Sequence, residues 1–170
     1  MSYLVISPLS QLAVTAKKHQ VHNMVTLINI ETNVIRPKTI PKSRHLCLYF
    51  NDINKKYKGL IAPAQEHIVA LIQFAKSWNR ISPLLVHCLM GISRSTAAAF
   101  IIACALNPAA NEKQLAIRLR EQAPSATPNL RLVSLADRLL TRKGQMNDAI
   151  RRIGRGCDTY EGSPFVFDFS

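Results

Sequence analysis

The chain has 170 residues, 48% of them hydrophobic, with 22 Lys and Arg against 10 Asp and Glu for a formal charge of +12. That length and apolar share fit one folded domain with a sizeable core and exclude intrinsic disorder. No apolar run reaches the roughly 18–20 residues of a spanning helix, which excludes an integral membrane protein.

Short β-branched segments at residues 3–6, 24–28 and 45–50 read as strands. Between the first two, residues 8–18 are expected to form a helix with Ser7 as its cap and Pro8 in its first position. Residues 30–43, interrupted by Pro37 and Pro41, read as a loop. Pro63 is expected to open the next helix, since His67, Leu71, Phe74, Ala75 and Trp78 follow at three- and four-residue steps. A strand at 81–87 comes next, then a buried helix over 94–106. Two further helices are expected near 111–122 and 128–142, separated by Pro124 and Pro128 and closed by Gly144. The tail, residues 154–170, carries alternating Phe165, Phe167 and Phe169, and either docks as an extended segment or frays. Strands alternating with helices predict a single α/β domain over 1–170, built on a central, mostly parallel sheet flanked by helices.

Charge and cysteines narrow the setting. Residues 113–155 hold ten cations against three acids, so the positive field lies towards the C-terminal side. Such a field attracts a phosphorylated protein, a nucleotide, a nucleic acid or another acidic partner; a merely solvated basic surface has the same composition. Cys47, Cys88, Cys104 and Cys157 form no CxxC pair and no zinc spacing. The first residues lack the pattern of a secretory signal. A cytoplasmic protein with reduced thiols is therefore expected.

The chemistry concentrates in Leu84-Leu85-Val86-His87-Cys88-Leu89-Met90-Gly91-Ile92-Ser93-Arg94-Ser95-Thr96. A buried strand runs into a Cys, then five small or apolar residues, then an Arg that opens a helix. A short strand-to-helix loop turns backbone N–H groups of Leu89, Met90, Gly91, Ile92 and Ser93 inward as an anion nest, and the helix dipole adds positive potential there. Arg94 supplies a planar fork of donors for phosphate oxygens. Cys88 sits at the base, where the same field favours a thiolate placed for in-line attack on phosphorus. Gly91 permits a loop conformation that a side chain would obstruct. Ser95 offers a hydroxyl to the sulfur when it leaves.

This string resembles the His-Cys-x5-Arg-Ser signature of the cysteine-dependent protein tyrosine phosphatases, and HCLMGISRST is closest to their dual-specificity branch. The resemblance runs from Phe50-Asn51-Asp52-Ile53 to Pro128-Asn129, about half the chain. It implies an α/β sandwich and hydrolysis of a phosphorylated protein or other phosphomonoester through a phosphocysteine, with no metal and no cofactor. Such an enzyme needs a general acid. Only Glu31, Asp52 and Glu66 precede Cys88; Glu66 lies on the outer face of its helix, Glu31 beside a Pro-containing loop, and Asp52 just after a strand, at the interval where the family carries its acid. Asp52 is the candidate, protonating the leaving oxygen and then activating water. His87, like its family counterpart, is expected to bond backbone and hold the loop, since neighbours on a strand face opposite ways. Ser93 contributes a hydroxyl or only its N–H, and the second is preferred. Asn129 is expected to cap the helix that follows it. Cys47 and Cys104 read as apolar fillers.

The chain departs from the larger tyrosine-specific enzymes in lacking a Lys-Asn-Arg-Tyr-type segment, which implies a shallower pocket open to phosphoserine and phosphothreonine. The x5 stretch holds no Lys or Arg, unlike that of many lipid phosphatases of the superfamily. The leading expectation is a protein tyrosine or dual-specificity phosphatase; the alternatives are a phospho-ligand-binding module without turnover and a phosphoinositide phosphatase.

Overall fold

Strand alternation sets both faces of the sheet. In the computed structural model, which describes residues 3–169, β1 (Leu4–Pro8), β2 (Asn23–Ile28), β3 (His45–Tyr49), β4 (Leu84–Cys88) and β5 (Phe165–Phe167) form one sheet in the order β3-β2-β4-β1-β5. The first four run parallel and β5 pairs antiparallel with β1. Leu4, Ile6, Val25, Leu27, Leu84 and Val86 point into the larger core, while Val5, Met24 and Leu85, one residue out of phase, point into the smaller one. This is the period-two pattern of strands covered on both sides.

Six α-helices among the described residues complete the fold: α1 (Leu12–Lys18), α2 (Gln65–Ser77), α3 (Arg94–Leu106), α4 (Glu112–Gln122), α5 (Leu130–Leu139) and α6 (Gln145–Ile153). The smaller core holds Leu12 and Ala16 of α1; the larger holds residues of the other five. All of α3 up to Ala105 is buried, and its Ala97, Ala98 and Ala99 let the flanking elements approach closely. A helix apolar all round belongs in the centre of a core. The alternation of strands and helices thus yields a mostly parallel α/β domain, with no helix among the described residues long and apolar enough to cross a membrane.

Three local expectations are corrected. Pro8 ends β1 opposite Cys88 and Ser7 lies within the strand, so neither starts α1; Pro8 is instead the N-cap of a 3-10 turn at Leu9–Gln11, and α1 begins at Leu12 without a side-chain cap. Pro63 lies ahead of α2, where the Ala64 N–H donates to His67 Nδ1 (3.0 Å). Gly144 does not close the helical run. With φ +89° it leads into α6, whose first turn is capped by the buried Asp137: Oδ1 accepts from the Gly144 N–H (2.7 Å) and Oδ2 from the Met146 N–H (2.8 Å). Carboxylate on a helix N-terminus satisfies donors that have no intrahelical partner.

The tail docks. Phe167 and Phe169 are buried, and β5 adds an antiparallel edge to β1. Residues 1, 2 and 170, the ends of the expected domain and tail, lie outside the described residues.

Candidate active site

Parallel strands bring their C-terminal ends to one edge, where α/β proteins build ligand sites. Here that edge collects Asn29 after β2, Phe50 after β3 and Cys88 at the end of β4. The loop from Cys88 to α3 is secured from outside. The Leu89 carbonyl accepts from the Leu9 N–H (3.0 Å), Met90 from Gly162 (2.8 Å), Ile92 from Thr127 (2.9 Å) and Ser93 from Asn129 (3.3 Å). Thr96 Oγ1 also donates to the Ile92 carbonyl (2.5 Å). In a planar trans peptide the next N–H points opposite to the carbonyl. The N–H groups of Met90, Gly91, Ser93 and Arg94 therefore turn inward, and those of Met90 and Ser93 have no acceptor among the described residues. Gly91 has φ +70°, and a Cβ there would lie 2.8 Å from the Pro8 nitrogen, so only glycine lets the loop rest on the end of β1.

Cys88 lies at the floor of this ring, 3% exposed. Its Sγ accepts from the Gly91 N–H (3.3 Å), and its thiol donates to Ser95 Oγ (3.2 Å). Arg94, 4% exposed, is braced by Nη1 donating to Asn29 Oδ1 (2.7 Å) and to the Phe50 carbonyl (2.8 Å). Its Nε is buried with no partner among the described residues. A buried guanidinium N–H left unpaired is costly, and it is a donor that an oxyanion would satisfy.

Asp52 reaches the same place from the loop after β3. Its Oδ1 accepts from Ser93 Oγ (2.8 Å) and from Asn129 Nδ2 (2.8 Å). Ser93 thus uses its hydroxyl on the carboxylate. Asn129 caps α5, its Oδ1 accepting from the Leu132 N–H (3.0 Å), and the same side chain holds Asp52 with its other end. Capping alone understates it.

His87 lies on the opposite face of β4 from the sulfur, fully buried. Nδ1 bonds the Cys88 carbonyl (3.3 Å) and Nε2 meets Thr26 Oγ1 (2.7 Å), which also contacts His45 Nε2 (2.7 Å). Burial above all pushes the His87 pKa down to about 4, so the ring is neutral. A carbonyl only accepts, so Nδ1 carries the proton; Nε2 then accepts from the Thr26 hydroxyl, and Thr26 accepts from His45. One proton order runs from the sheet edge to the backbone of Cys88.

No family model and no curated protein matches the sequence. Solved structures do match. The Cydia Pomonella PTP-2 phosphatase is 21% identical with a TM-score of 0.59, over 77% of this chain and 81% of that one. The Yvh1 phosphatase domain from Chaetomium thermophilum is 20% identical with a TM-score of 0.56, over 82% of this chain and 91% of that one. The chain has the fold of the protein tyrosine phosphatases.

Within this phosphatase fold, several site residues carry no local sequence signal. Asn29 and the Phe50 carbonyl, which brace Arg94, sit 65 and 44 positions away from it. Thr26 is one of several β-branched strand residues, and Gly162 meets the loop only because the tail docks. Thr96, directly after Arg94-Ser95, does carry a local signal: a hydroxyl one turn into α3, facing back to the Ile92 carbonyl. Among the remaining thiols, Cys104 is buried and its pKa is pushed up to about 12 by burial. Cys47 is only half-buried and contacts His45 Nε2 (3.2 Å), so it is not a plain apolar filler; Cys157 is exposed.

Proposed function

We propose that this chain hydrolyses phosphomonoesters as a tyrosine or dual-specificity protein phosphatase. The observation that carries the reading is the buried Arg94 Nε, left without a partner among the described residues, at the end of the loop whose Gly91 N–H meets Cys88 Sγ. A phosphoryl group seated there has its oxygens on the amides and the guanidinium, with its phosphorus facing the sulfur. The Cys88 thiolate attacks in line, forming S–P as the P–O bond to the leaving group breaks, and Asp52 gives that oxygen its proton. Asp52, now a carboxylate, takes a proton from water as the water oxygen attacks phosphorus. The S–P bond breaks with its electron pair returning to sulfur, where the Ser95 hydroxyl, reversing its present contact, donates to the thiolate. Phosphate leaves and no metal takes part in any step. The free cysteines suit a reducing, cytoplasmic compartment, in which the thiolate stays unoxidised.

The test is hydrolysis of para-nitrophenyl phosphate by wild type and Cys88→Ser. Wild type turns over and is trapped in acid as a species heavier by one phosphoryl group on Cys88. Cys88→Ser binds vanadate but does not turn over. Full activity in that variant, or a phosphoryl group found on another residue, overturns the scheme.

A further inference from the structure

Two grooves meet beside the Asp52 loop, on the outer side of α5 and α6. One, of about 230 Å³, is lined by Asn54, Arg131, Arg138 and Arg151 among others. The other, of about 310 Å³, shares Leu130 and Arg151 with the first and adds Pro128 and Ile150 to a mostly apolar wall. Arg131, Ser134 and Arg138 stand on one side of α5 at three- and four-residue steps. No acid lines either groove. Arg138 and Arg151 are exposed and have no carboxylate partner among the described residues. Arg131, Arg138 and Arg151 therefore present three guanidiniums with no carboxylate in ion-pair contact among the described residues, while Arg155, also on the second groove, pairs with Asp158.

The grooves are tied to the candidate active site. The Arg131 N–H donates to Asn54 Oδ1 (3.2 Å) and its Nε to the Pro63 carbonyl (2.7 Å), so this residue fastens both ends of the segment that presents Asp52. Leu130, 42% exposed, directly follows Asn129, which holds Asp52. The grooves thus lie against the segment and the helix start that hold Asp52.

We propose that the joined grooves dock the stretch of a phosphoprotein that flanks its phosphorylated residue, one bearing Asp or Glu side chains and an apolar anchor. This rests on the phosphatase reading of the Cys88 loop and adds its preferred substrate. Carboxylates pair with Arg131, Arg138 and Arg151 through forked hydrogen bonds; the apolar side chain seats on Leu130 and Ile150. Protein is favoured over single-stranded nucleic acid because no aromatic ring lines either groove for bases to stack on.

Two phosphopeptides of equal length, one flanked by Asp, Glu and Leu and one by Ser and Gly, read the groove through the ratio of their kcat/KM values. Wild type is expected to favour the acidic peptide by roughly five- to tenfold at low salt, less as salt rises. The double variant Arg138→Ala, Arg151→Ala brings the ratio near one. Lys17→Ala, which removes a cation from α1 on the other face of the sheet, leaves it. Because each variant supplies its own ratio, a general loss of activity does not mimic the effect. Equal kcat/KM for both peptides on wild type, or a ratio unchanged in the double variant, overturns the proposal. So does a mixed-sequence oligonucleotide that competes better than the acidic peptide without its phosphate. Fluorescence anisotropy of the two unphosphorylated peptides reads the groove without turnover. A protein that fails on para-nitrophenyl phosphate yet binds the acidic peptide more tightly sinks the hydrolytic reading and keeps the docking one.

Discussion

The loop from Cys88 to Arg94 and the loop that carries Asp52 face one another across the site, yet they are held by different means. The first is anchored through its own backbone: four of its carbonyls accept from N–H groups of three other segments, the turn after β1, the α4–α5 connection and the tail. The second is exposed; Asn51 and Ile61 close it with hydrogen bonds of 2.7 and 2.8 Å, and from outside it is held by Asn129 and Arg131 at the start of α5. Its carboxylate meets the rest of the site through two side-chain donors, Ser93 and Asn129. A ring of amides stabilises an oxyanion only if its dipoles are already aimed, so main-chain bonds that cannot rotate away suit it. A proton donor needs to be within hydrogen-bond reach of one oxygen. Changes near Asp52 should therefore alter rate with little effect on stability, whereas changes beneath Cys88 should alter both.

Beyond the loss of turnover in Cys88→Ser, the largest effect should come from removing the candidate acid. Asp52→Asn is expected to lower kcat on the order of 10²–10⁴-fold, most for phosphoserine and least for para-nitrophenyl phosphate, whose leaving group needs little protonation. Its urea midpoint should match that of wild type, because the exposed side chain supports little beyond Ser93 and Asn129. Equal rates for Asp52→Asn and wild type on both substrates would assign the proton to another group and break the contrast at its catalytic end.

Next comes the pH response of the support beneath Cys88. The folded chain holds His87 near pKa 4, below the usual value of 6.5, with burial as the main cause. Below pH 6.5 the unfolded chain binds a proton that the folded chain refuses. Stability is thus lost as pH falls from 6.5 to 4, by up to about 3 kcal/mol from this group, and the group adds no further loss below that. His19, His45 and His67, each lowered mainly by burial, act in the same direction. Urea unfolding of wild type and His87→Gln at several pH values between 7 and 4 checks this, as the variant should have the shallower fall. Identical slopes would remove His87 as the cause.

How much of this was legible in the sequence depended on whether the information was local. The strand, loop and helix from Leu84 to Leu106 are contiguous, and their residue types alone point to an anion nest above a sulfur. Helix α6 has no counterpart among the expected elements, although Met146, Ala149, Ile150 and Ile153 keep a helical spacing: Gly144 reads as an end, when the cap comes from Asp137 on the neighbouring helix. Pro8 looked like a helix start because its pairing with β4 lies 80 positions downstream. The bracing of Arg94 by Asn29, and of the loop by Gly162, follows from strand order and tail docking, which no local pattern encodes.

The finest division between the two loops runs through one side chain. Asn129 caps α5 with Oδ1 and holds Asp52 with Nδ2, so the two jobs can be separated. Asn129→Ser keeps a capping oxygen and is expected to stay within a few tenths of a kcal/mol of wild type. It loses the donor to the carboxylate, and kcat should fall about tenfold with KM little changed, since a displaced acid affects the chemical step more than binding. Asn129→Ala loses both functions and should add about 1 kcal/mol of destabilisation to a similar loss of rate. An undiminished kcat in Asn129→Ser would reduce the residue to a cap. It would also show that Ser93 alone suffices to position Asp52, the acid then depending on the Cys88 loop itself rather than on α5.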